Sequence, residues 1–355
     1  MTTFRIAVYP GDGIGPEVID EAVRVLERVE KKLGGFGLTF ERFDWGCDYY
    51  DRHGVAVPDD YLEILRPFDA ILLGAIGFPP RLPDHITLSP LIRLRQAFDQ
   101  YACVRPAKLL AGVRPLLTDS NPIDMIVVRE NVEGEYLASG GRFKVGTPDE
   151  VALQTAIHTR RGIERVLRFG FELARTRAKH LTMITKSNAL KYGYVLWDEV
   201  QDEVATAYPD VKTDRQHIDA AAMNFVRRPS QFDVVVASNL FGDILTDLSG
   251  AITGSLGLNP SANLDPQRKC PSLFEPVHGS APDIAGKGIA NPAAAILSAA
   301  MMLDWLDLKP AAAAIRNAVE GAVADRCATP DLGGELTSRQ MADCIIERLD
   351  SLEGD

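Results

Sequence analysis

Hydrophobic and polar positions in the first hundred residues follow two alternating periods. Apolar runs rich in β-branched residues at 5–10, 38–45 and 69–77 indicate strands. Between them, at 17–33 and 58–68, apolar positions recur every three or four residues, which is typical of helices that bury one face. This strand–helix order predicts a largely parallel sheet covered by helices.

The middle of the chain continues the same alternation. Strands are predicted at 124–131, 180–186 and 232–239, and a helix at 160–177, whereas the last third is alanine-rich and predicted to be mainly helical. The segment 132–157 is glycine-rich with alternating polarity, which indicates a hairpin arm. Since a two-stranded arm is not stable alone, we expect it to pair with a second subunit.

Composition narrows the class of protein. The net charge of −11 opposes binding to nucleic acid or to an anionic membrane surface. The apolar segment 293–306 is interrupted by Asp304 and is too short to span a bilayer, and the N-terminus lacks the pattern of a secretory signal. The 5 cysteines are scattered, without a C-x-x-C pair. They predict a cytoplasmic protein rather than a disulfide or zinc scaffold.

Arginines are concentrated in one part of this acidic chain. Singly, each would be interpreted as a solvated surface residue. Together they favour an anionic substrate, because a guanidinium matches a carboxylate in a bidentate pair. The arginines in question are Arg93, Arg95, Arg105, Arg114 and Arg129.

A glycine-rich turn follows the first strand. Its glycines are Gly11, Gly13 and Gly15, with Pro16 next. The spacing G-x-G-x-G differs from the G-x-G-x-x-G fingerprint of dinucleotide-binding loops. Proline suits the first turn of a helix, so the stretch predicts a tight strand-to-helix turn.

Two carboxylates define a candidate metal site. Asp243 and Asp247 stand at i and i+4 on a helix predicted to begin near Asn239, so both lie on one helix face. No lysine or arginine occurs between Ser238 and Pro266 to neutralise them, and oxygen ligands favour Mg²⁺ or Mn²⁺. A solvated acidic face near a helix N-terminus is the alternative, and the spacing leaves both open.

Other candidates lie at strand ends and in a loop. The stretch 275–292 is rich in glycine and proline, so it predicts a loop in which Asp283 could accept hydrogen bonds from ribose hydroxyls. A purely structural loop is the alternative. Lys186 ends a predicted strand, where ligands bind in α/β sheets, although an ordinary exposed lysine is the commoner explanation for a residue at that position. Tyr136 is ambiguous by itself, and His278 is interpreted as a loop-packing or cofactor-contacting group.

Taken together, the chain resembles the β-decarboxylating dehydrogenases, the family of isopropylmalate, isocitrate and tartrate/D-malate dehydrogenases. The resemblance rests chiefly on "NLFGDILTDLSGAITGSLGL" and "HGSAPDIAGKGIANP" and extends over almost the whole chain. It implies a two-domain α/β fold like that of isopropylmalate dehydrogenase, with a mixed, largely parallel sheet and a dimerisation arm. The stretches "DWGCDYYDRHG", "PDHITL", "FDQYACVRP" and "VRENVEGEY" resemble the tartrate/D-malate branch.

The resemblance also implies roles for individual residues. It implies that the substrate carboxylates are bound by Arg95, Arg105 and Arg129. It implies metal ligands at Asp219, Asp243 and Asp247, with Asp219 donated by the partner subunit. It implies a catalytic pair, Tyr136 and Lys186, with Lys186 also donated across the dimer.

For the cofactor, the resemblance implies an adenosine-binding loop selective for NAD. The implied contacts are His278, Gly279, Ser280, Ala281, Pro282, Asp283, Ile284 and Asn291. Asp283 followed by Ile284 resembles the NAD-selective version of this loop. The turn at Gly11 then forms the floor of a cleft and is not the cofactor loop.

The implied reaction is NAD- and metal-dependent oxidative decarboxylation of a small hydroxy-dicarboxylate. D-malate is favoured, with oxidation of tartrate beside it. Leu88 occupies a substrate-side position where tartrate/D-malate relatives carry tryptophan and isopropylmalate dehydrogenases carry glutamate. 3-Isopropylmalate therefore stays open as an alternative substrate. A non-catalytic regulatory subunit is a further alternative, which the complete set of implied site residues disfavours.

The expected domain division follows the family. Residues 1–100 and 253–355 should form a large, cofactor-side domain, and residues 101–252 a small domain with the dimer contacts and the arm. A homodimer with shared active sites is expected. The sequence leaves open Mn²⁺ versus Mg²⁺, a requirement for K⁺, and assembly beyond the dimer.

Overall fold

The fold alternates strands and helices along the chain. The computed structural model describes residues 2–117 and 122–351, so Met1, 118–121 and 352–355 of the predicted domains lie outside the described residues. The strands are β1 (Thr2–Gly11), β2 (Phe36–Arg42), β3 (Ala70–Ala75), β4 (Ala102–Lys108), β5 (Asp124–Glu130), β6 (Gly140–Phe143), β7 (Val151–Gln154), β8 (His180–Thr185), β9 (Lys212–His217), β10 (Val234–Ala237), β11 (Pro260–Leu264) and β12 (Ser272–Pro276). The helices are α1 (Gly15–Leu33), α2 (Cys47–His53), α3 (Tyr61–Leu65), α4 (Asp84–Ala97), α5 (Arg160–Arg175), α6 (Gly193–Ala205), α7 (Ile218–Arg227), α8 (Asn239–Ile252), α9 (Ala293–Trp305), α10 (Lys309–Ala324) and α11 (Ser338–Ser351).

One large sheet runs through the molecule. Its strand order is β2-β1-β3-β12-β11-β4-β5-β10-β8-β9. The pairs at both ends of the sheet are parallel, whereas the β12–β11, β11–β4 and β4–β5 pairs in its middle are antiparallel. The mixed, largely parallel sheet predicted from the sequence is therefore confirmed.

Helices cover the sheet because successive strand residues point to opposite faces. In β1, Ile6 and Val8 belong to one core cluster and Ala7 and Tyr9 to another on the opposite face. Helix α1 buries the stripe Val18, Ala22, Val25 and Val29 in the first cluster, at the spacing of one helix face. The same cluster contains the alanine-rich helix α9, which packs against α1 and α10 and is buried as predicted. Among the described residues, none of the helices is both long and apolar enough to cross a membrane.

The last third of the chain departs from the mainly helical prediction. It contributes β11 and β12 to the centre of the sheet, and the predicted loop 275–292 begins two residues late. Glu275 and Pro276 belong to β12, where they pair with Ser261 and Pro260 of β11. These two short strands are also held on their outer sides by β4 and β3, and the composition of the local segment does not reveal that pairing.

The segment 132–157 contains a hairpin. β6 and β7 pair antiparallel as a separate two-stranded sheet, and every residue of both strands is exposed. The predicted domain division stays a prediction. On this sheet it would fall between the neighbouring strands β11 and β4.

Candidate active site

A cavity of about 530 Å³ opens at the carboxyl end of β3, between that strand, α4 and the end of β12. Ligands of α/β sheets usually bind at this edge. Several of the sequence-predicted site residues line it: Leu88, Arg95, Arg105, Arg129, Tyr136, Asp243, His278 and Gly279. Residues far apart in the chain, from α4 to the loop after β12, thus contribute to one cavity.

Three arginines reach this cavity from separate elements. Arg95 comes from α4, Arg105 from β4 and Arg129 from β5, and all three are buried, with Arg129 only 1% exposed. The two other arginines of the sequence cluster lie elsewhere, because Arg93 is exposed on α4 and Arg114 is exposed after β4. Buried guanidinium groups need anionic partners, and two carboxylates, Asp243 and Glu275, pair with these three arginines, which leaves one positive charge in excess.

Asp243 lies at the centre of the buried group. Its Oδ1 accepts a hydrogen bond from Arg105 Nη1 at 3.1 Å and a shorter one from Arg129 Nη1. Its Oδ2 accepts a hydrogen bond from the Tyr136 hydroxyl at 2.6 Å. Neighbouring side chains fix both guanidiniums, since Arg105 Nη1 also donates to Thr246 Oγ1 and Arg129 Nε donates to Asn239 Oδ1.

These contacts correct one step of the sequence argument. The lack of basic residues from 238 to 266 suggested that a metal ion was the simplest way to neutralise Asp243 and Asp247. In the fold, Arg105 and Arg129 reach Asp243 from two neighbouring strands and pair with its carboxylate. The lack of nearby basic residues in the sequence is therefore no argument for a metal ion, and the metal site itself stays a prediction.

The electrostatic environment sets the protonation of this group. Burial alone would raise the pKa of Asp243, but Arg129 and Arg105 outweigh burial and hold that pKa below its usual value. Burial, assisted by the Asp243 charge, raises the pKa of Tyr136 to about 12. The hydroxyl of Tyr136 therefore stays protonated at neutral pH and donates to Asp243.

The predicted metal ligands are not all in one place. Asp247 is exposed on α8 one turn after Asp243, and burial and the Asp243 charge raise the pKa of its carboxyl. Asp219, at the start of α7, accepts a hydrogen bond at 2.8 Å from Lys186 Nζ. Neither Lys186 nor Asp219 lines the cavity. Residues 2–117 and 122–351 contain no cluster of three or more Asp, Glu, His or Cys side chains close enough together to hold a metal ion.

Two oxygens of one helix face, from Asp243 and Asp247, nevertheless fit a hard divalent ion. The bond from Lys186 lowers the pKa of Asp219, which keeps this third predicted ligand anionic. A pair of carboxylates from one subunit with a third from elsewhere is an oxygen-rich set of the kind that Mg²⁺ and Mn²⁺ prefer.

The predicted cofactor loop continues from the cavity wall. His278 Nε2 is buried without a hydrogen-bond partner, and burial lowers the pKa of this histidine, which favours the neutral imidazole. Residues 281–285 form a single helical turn, closed by the bond from Ala285 N to Ala281 O at 3.1 Å. On this turn Asp283 is exposed, and it forms none of the hydrogen bonds or ion pairs found in the described part of the chain. A free histidine nitrogen and a free carboxylate along one loop fit a polar cofactor.

Asn291 lies at the far end of that loop and does not line the cavity. Its Nδ2 donates to Asp331 Oδ2 at 3.0 Å, and its Oδ1 accepts from Ala293 N at the start of α9. Both ends of the amide are thus engaged within the chain. Its contact with a cofactor stays a prediction.

Sequence reasoning missed Glu275 and His85, which also line the cavity. Glu275 Oε1 accepts from Arg95 Nη2 at 2.6 Å and from Asn263 Nδ2 at 2.8 Å, with the glutamate and arginine side chains almost fully buried. A lone glutamate in the apolar run 272–276 was the available signal. No comparable signal marks His85 in the sequence.

The fold and this site define the class of protein. A family model described as isocitrate/isopropylmalate dehydrogenase matches residues 5–345, and the chain belongs to that family. The family resemblance inferred from the motifs, the α/β fold and the enzyme class, a decarboxylating hydroxy-acid dehydrogenase, are therefore confirmed.

Individual relatives match over nearly their full length. The chain is 51% identical to the D-malate dehydrogenase [decarboxylating] of Escherichia coli strain K12, over 98% of this chain and 99% of that one. It is 50% identical to a probable tartrate dehydrogenase/decarboxylase of Agrobacterium vitis, over 98% of this chain and 97% of the relative. Among solved structures, the isocitrate dehydrogenase of Methylococcus capsulatus superimposes with a TM-score of 0.89 at 38% identity, over 98% of this chain and 99% of that one.

Proposed function

We propose that this protein catalyses the NAD- and divalent-metal-dependent oxidative decarboxylation of D-malate, and that it also oxidises tartrate. The observation that carries the proposal is the convergence of Arg95, Arg105 and Arg129 on one cavity beside Asp243. A small substrate with two carboxylates matches three buried guanidiniums. The names of the relatives in Escherichia coli and Agrobacterium vitis support the same substrates.

3-Isopropylmalate is the second candidate substrate because one wall of the cavity is apolar. Leu88, Leu91 and Ile92 of α4 line it together with Leu73 of β3. A branched hydrocarbon substituent would bury apolar surface there, at about 25 cal/mol per Å². Leu88 is the position at which the family resemblance already left the substrate open.

The chain's own groups divide the chemistry between them. A bound divalent ion would lower the pKa of the substrate hydroxyl and stabilise charge during loss of CO₂, while NAD⁺ would accept the hydride. The arginines are proposed to orient the carboxylates, and Tyr136, protonated at neutral pH, is proposed to deliver a proton. Asp219, Asp243 and Asp247 are the proposed metal ligands, and any need for K⁺ is left to assay.

Lys186 and Asp219 are proposed to act in the cavity of a partner subunit. In their own subunit the two side chains pair with each other outside the cavity. Exposed apolar side chains support association with a second copy of this chain. They occur on the arm and on helices α7 and α8: Phe143, Val145, Val151, Leu153, Met223, Val226 and Ile244. The predicted domain division and the cytoplasmic location are part of the same proposal.

The proposal is tested by following NADH formation from purified protein with NAD⁺ and Mn²⁺. D-malate, L-tartrate, meso-tartrate and 3-isopropylmalate are compared in parallel, and Mg²⁺ and K⁺ are exchanged in further assays. An Asp243→Asn preparation measures activity from contaminants. The highest kcat/KM is expected with D-malate. A higher value with 3-isopropylmalate would transfer the assignment to the second candidate, and no NADH from any substrate would refute both.

A further inference from the structure

The glycine-rich turn after β1 contacts the predicted cofactor loop at two points. Ile14 N donates to Ser280 O at 2.9 Å. The Ser280 carbonyl also packs directly on Gly13, where a Cβ would lie 2.0 Å from that oxygen. The second point is a side chain, because Glu17 Oε1 accepts a hydrogen bond from Gly286 N at 2.6 Å.

These two points bracket the helical turn 281–285. Ser280 immediately precedes that turn and Gly286 immediately follows it. Asp283, the residue proposed to meet the ribose of NAD, lies between them and is exposed. Its own side chain has no contact that would orient it, so its position depends on how the two ends of the turn are held.

Glu17 is suited to holding one end. It lies in the first turn of α1, where a carboxylate is favoured by the helix dipole. A hydrogen bond from a backbone N–H to a carboxylate is stronger than one to a neutral group. Its Oε2 is buried without a hydrogen-bond partner. This burial costs free energy, so Glu17 is not simply a solvent-facing charge on the helix surface.

We propose that Glu17 is a positioning residue for the cofactor, which fixes the 281–285 turn so that Asp283 meets the adenosine half of NAD. This inference rests on the proposed use of NAD. In this proposal the turn at Gly11 supports the cofactor loop through its contact with Ser280, and it does not itself contact the cofactor's phosphates. Glu17 acts on affinity for the cofactor rather than on the reacting atoms.

The experiment measures binding of NADH by fluorescence titration and of ADP-ribose by calorimetry, both without turnover. Glu17→Ala is expected to weaken both ligands about tenfold. Glu17→Gln keeps an accepting oxygen and should weaken them less than threefold. Glu17→Asp keeps the charge but shortens the reach, and it replaces the alanine variant if that protein does not fold. Glu27→Gln is the matched control, since Glu27 is exposed on the same helix.

Two further measurements separate positioning from a general structural role. Hydrogen exchange at Gly286 N should be slow in the wild type and in Glu17→Gln, and faster in Glu17→Ala. If Glu17 acts through Asp283, combining Glu17→Ala with Asp283→Ala should weaken NADH little more than either change alone. At saturating NAD⁺, kcat should remain within twofold of wild type.

The outcomes distinguish the two proposals. Wild-type protein that binds neither NADH nor ADP-ribose would overturn the use of NAD, and this inference with it. Wild-type protein that binds them, with unchanged affinity in Glu17→Ala or additive effects in the double variant, would overturn the role of Glu17 alone.

Discussion

Two groups of candidate catalytic side chains differ in almost every physical respect. The group around Asp243 is enclosed, with Arg105 and Arg129 buried and Tyr136 bound to the same carboxylate. The pair Lys186–Asp219 is more open: the Asp219 side chain is 68% exposed and accepts a hydrogen bond from Lys186 at 2.8 Å. The first group lines the cavity and the second does not.

The difference agrees with the proposal that the first group acts within its own chain and the second in a partner subunit. Asp243 is held by three donors, so its position is fixed before any ligand binds. An exposed ion pair contributes little to stability, and its members exchange partners at little cost. A side chain that must act in another subunit benefits from this freedom, whereas one that orients a substrate benefits from rigidity.

The largest effect is expected for Asp243→Asn. Loss of the charge leaves two buried guanidiniums underneutralised and removes a proposed metal ligand. We expect the free energy of unfolding to fall by about 3 kcal/mol and kcat/KM to fall by about a thousandfold or more. Urea unfolding and steady-state kinetics measure the two effects. In the matched variant Asp219→Asn, activity should be lost while stability is unchanged. An equal loss of stability in Asp243→Asn and Asp219→Asn would contradict the distinction between the enclosed and the open group.

Lys186→Ala should lower kcat by about a hundredfold or more, as expected for loss of a general base. Mixing this variant with Asp243→Asn after unfolding and refolding tests where Lys186 acts. If it acts across the dimer, each hybrid contains one intact site, and random pairing should restore about a quarter of wild-type activity. Each homodimer alone should stay inactive. If the mixture stays inactive although hybrids are present by native mass spectrometry, Lys186 acts within its own subunit.

Glu130 allows the free-energy cost of burying a carboxyl group to be measured. Burial at the end of β5 raises the pKa of its carboxyl to about 7. The folded protein therefore retains a proton that the unfolded chain has lost, so stability should fall as the pH rises from about 4.5 to 7 and then level off. Relative to Glu130→Gln, the wild type should lose up to about 3 kcal/mol across that window. Urea unfolding at several pH values measures this. Parallel pH profiles for the two proteins would contradict it.

The smallest effect is expected at the apolar wall. Leu88→Trp would fill space beside Leu91 and should weaken 3-isopropylmalate about tenfold while leaving D-malate within about threefold. The ratio of the two kcat/KM values measures the effect. Leu88→Met, of similar volume, is the control and should change neither substrate much. An unchanged ratio in Leu88→Trp would mean that this wall does not contact the substrate.

The sequence predicted the parts of the fold that depend on local periodicity. Helices α1 and α8 were found because their buried positions repeat along the chain, and the strands β1, β5 and β10 because each contains a continuous apolar run. The strands β11 and β12 are short and pair with each other, and their outer partners, β4 and β3, lie more than a hundred residues away, so the local sequence gave little signal for them. Local composition carries no record of such pairing.

The site divides in the same way. Motif resemblance brought Arg95, Arg129 and Asp243 together before the structure did. The ion-pair partners of those charges could not be predicted from the sequence. The bonds from Arg105 to Asp243 and from Arg95 to Glu275 join positions separated by more than a hundred residues. Free energies of buried charges depend on such neighbours, so the charge balance around Asp243 could not be worked out from the local sequence.

The unbroken ten-stranded sheet also has a mechanical consequence. Its hydrogen-bonded ladder continues from β2 to β9, and β11 and β4 are joined by pairs such as Ala262 with Val104. The two flanks of the molecule are therefore joined by paired strands and not by a flexible linker. A relative movement of the two flanks requires a change in the twist between paired strands. Any ligand that drew the two flanks together would therefore have to change this twist.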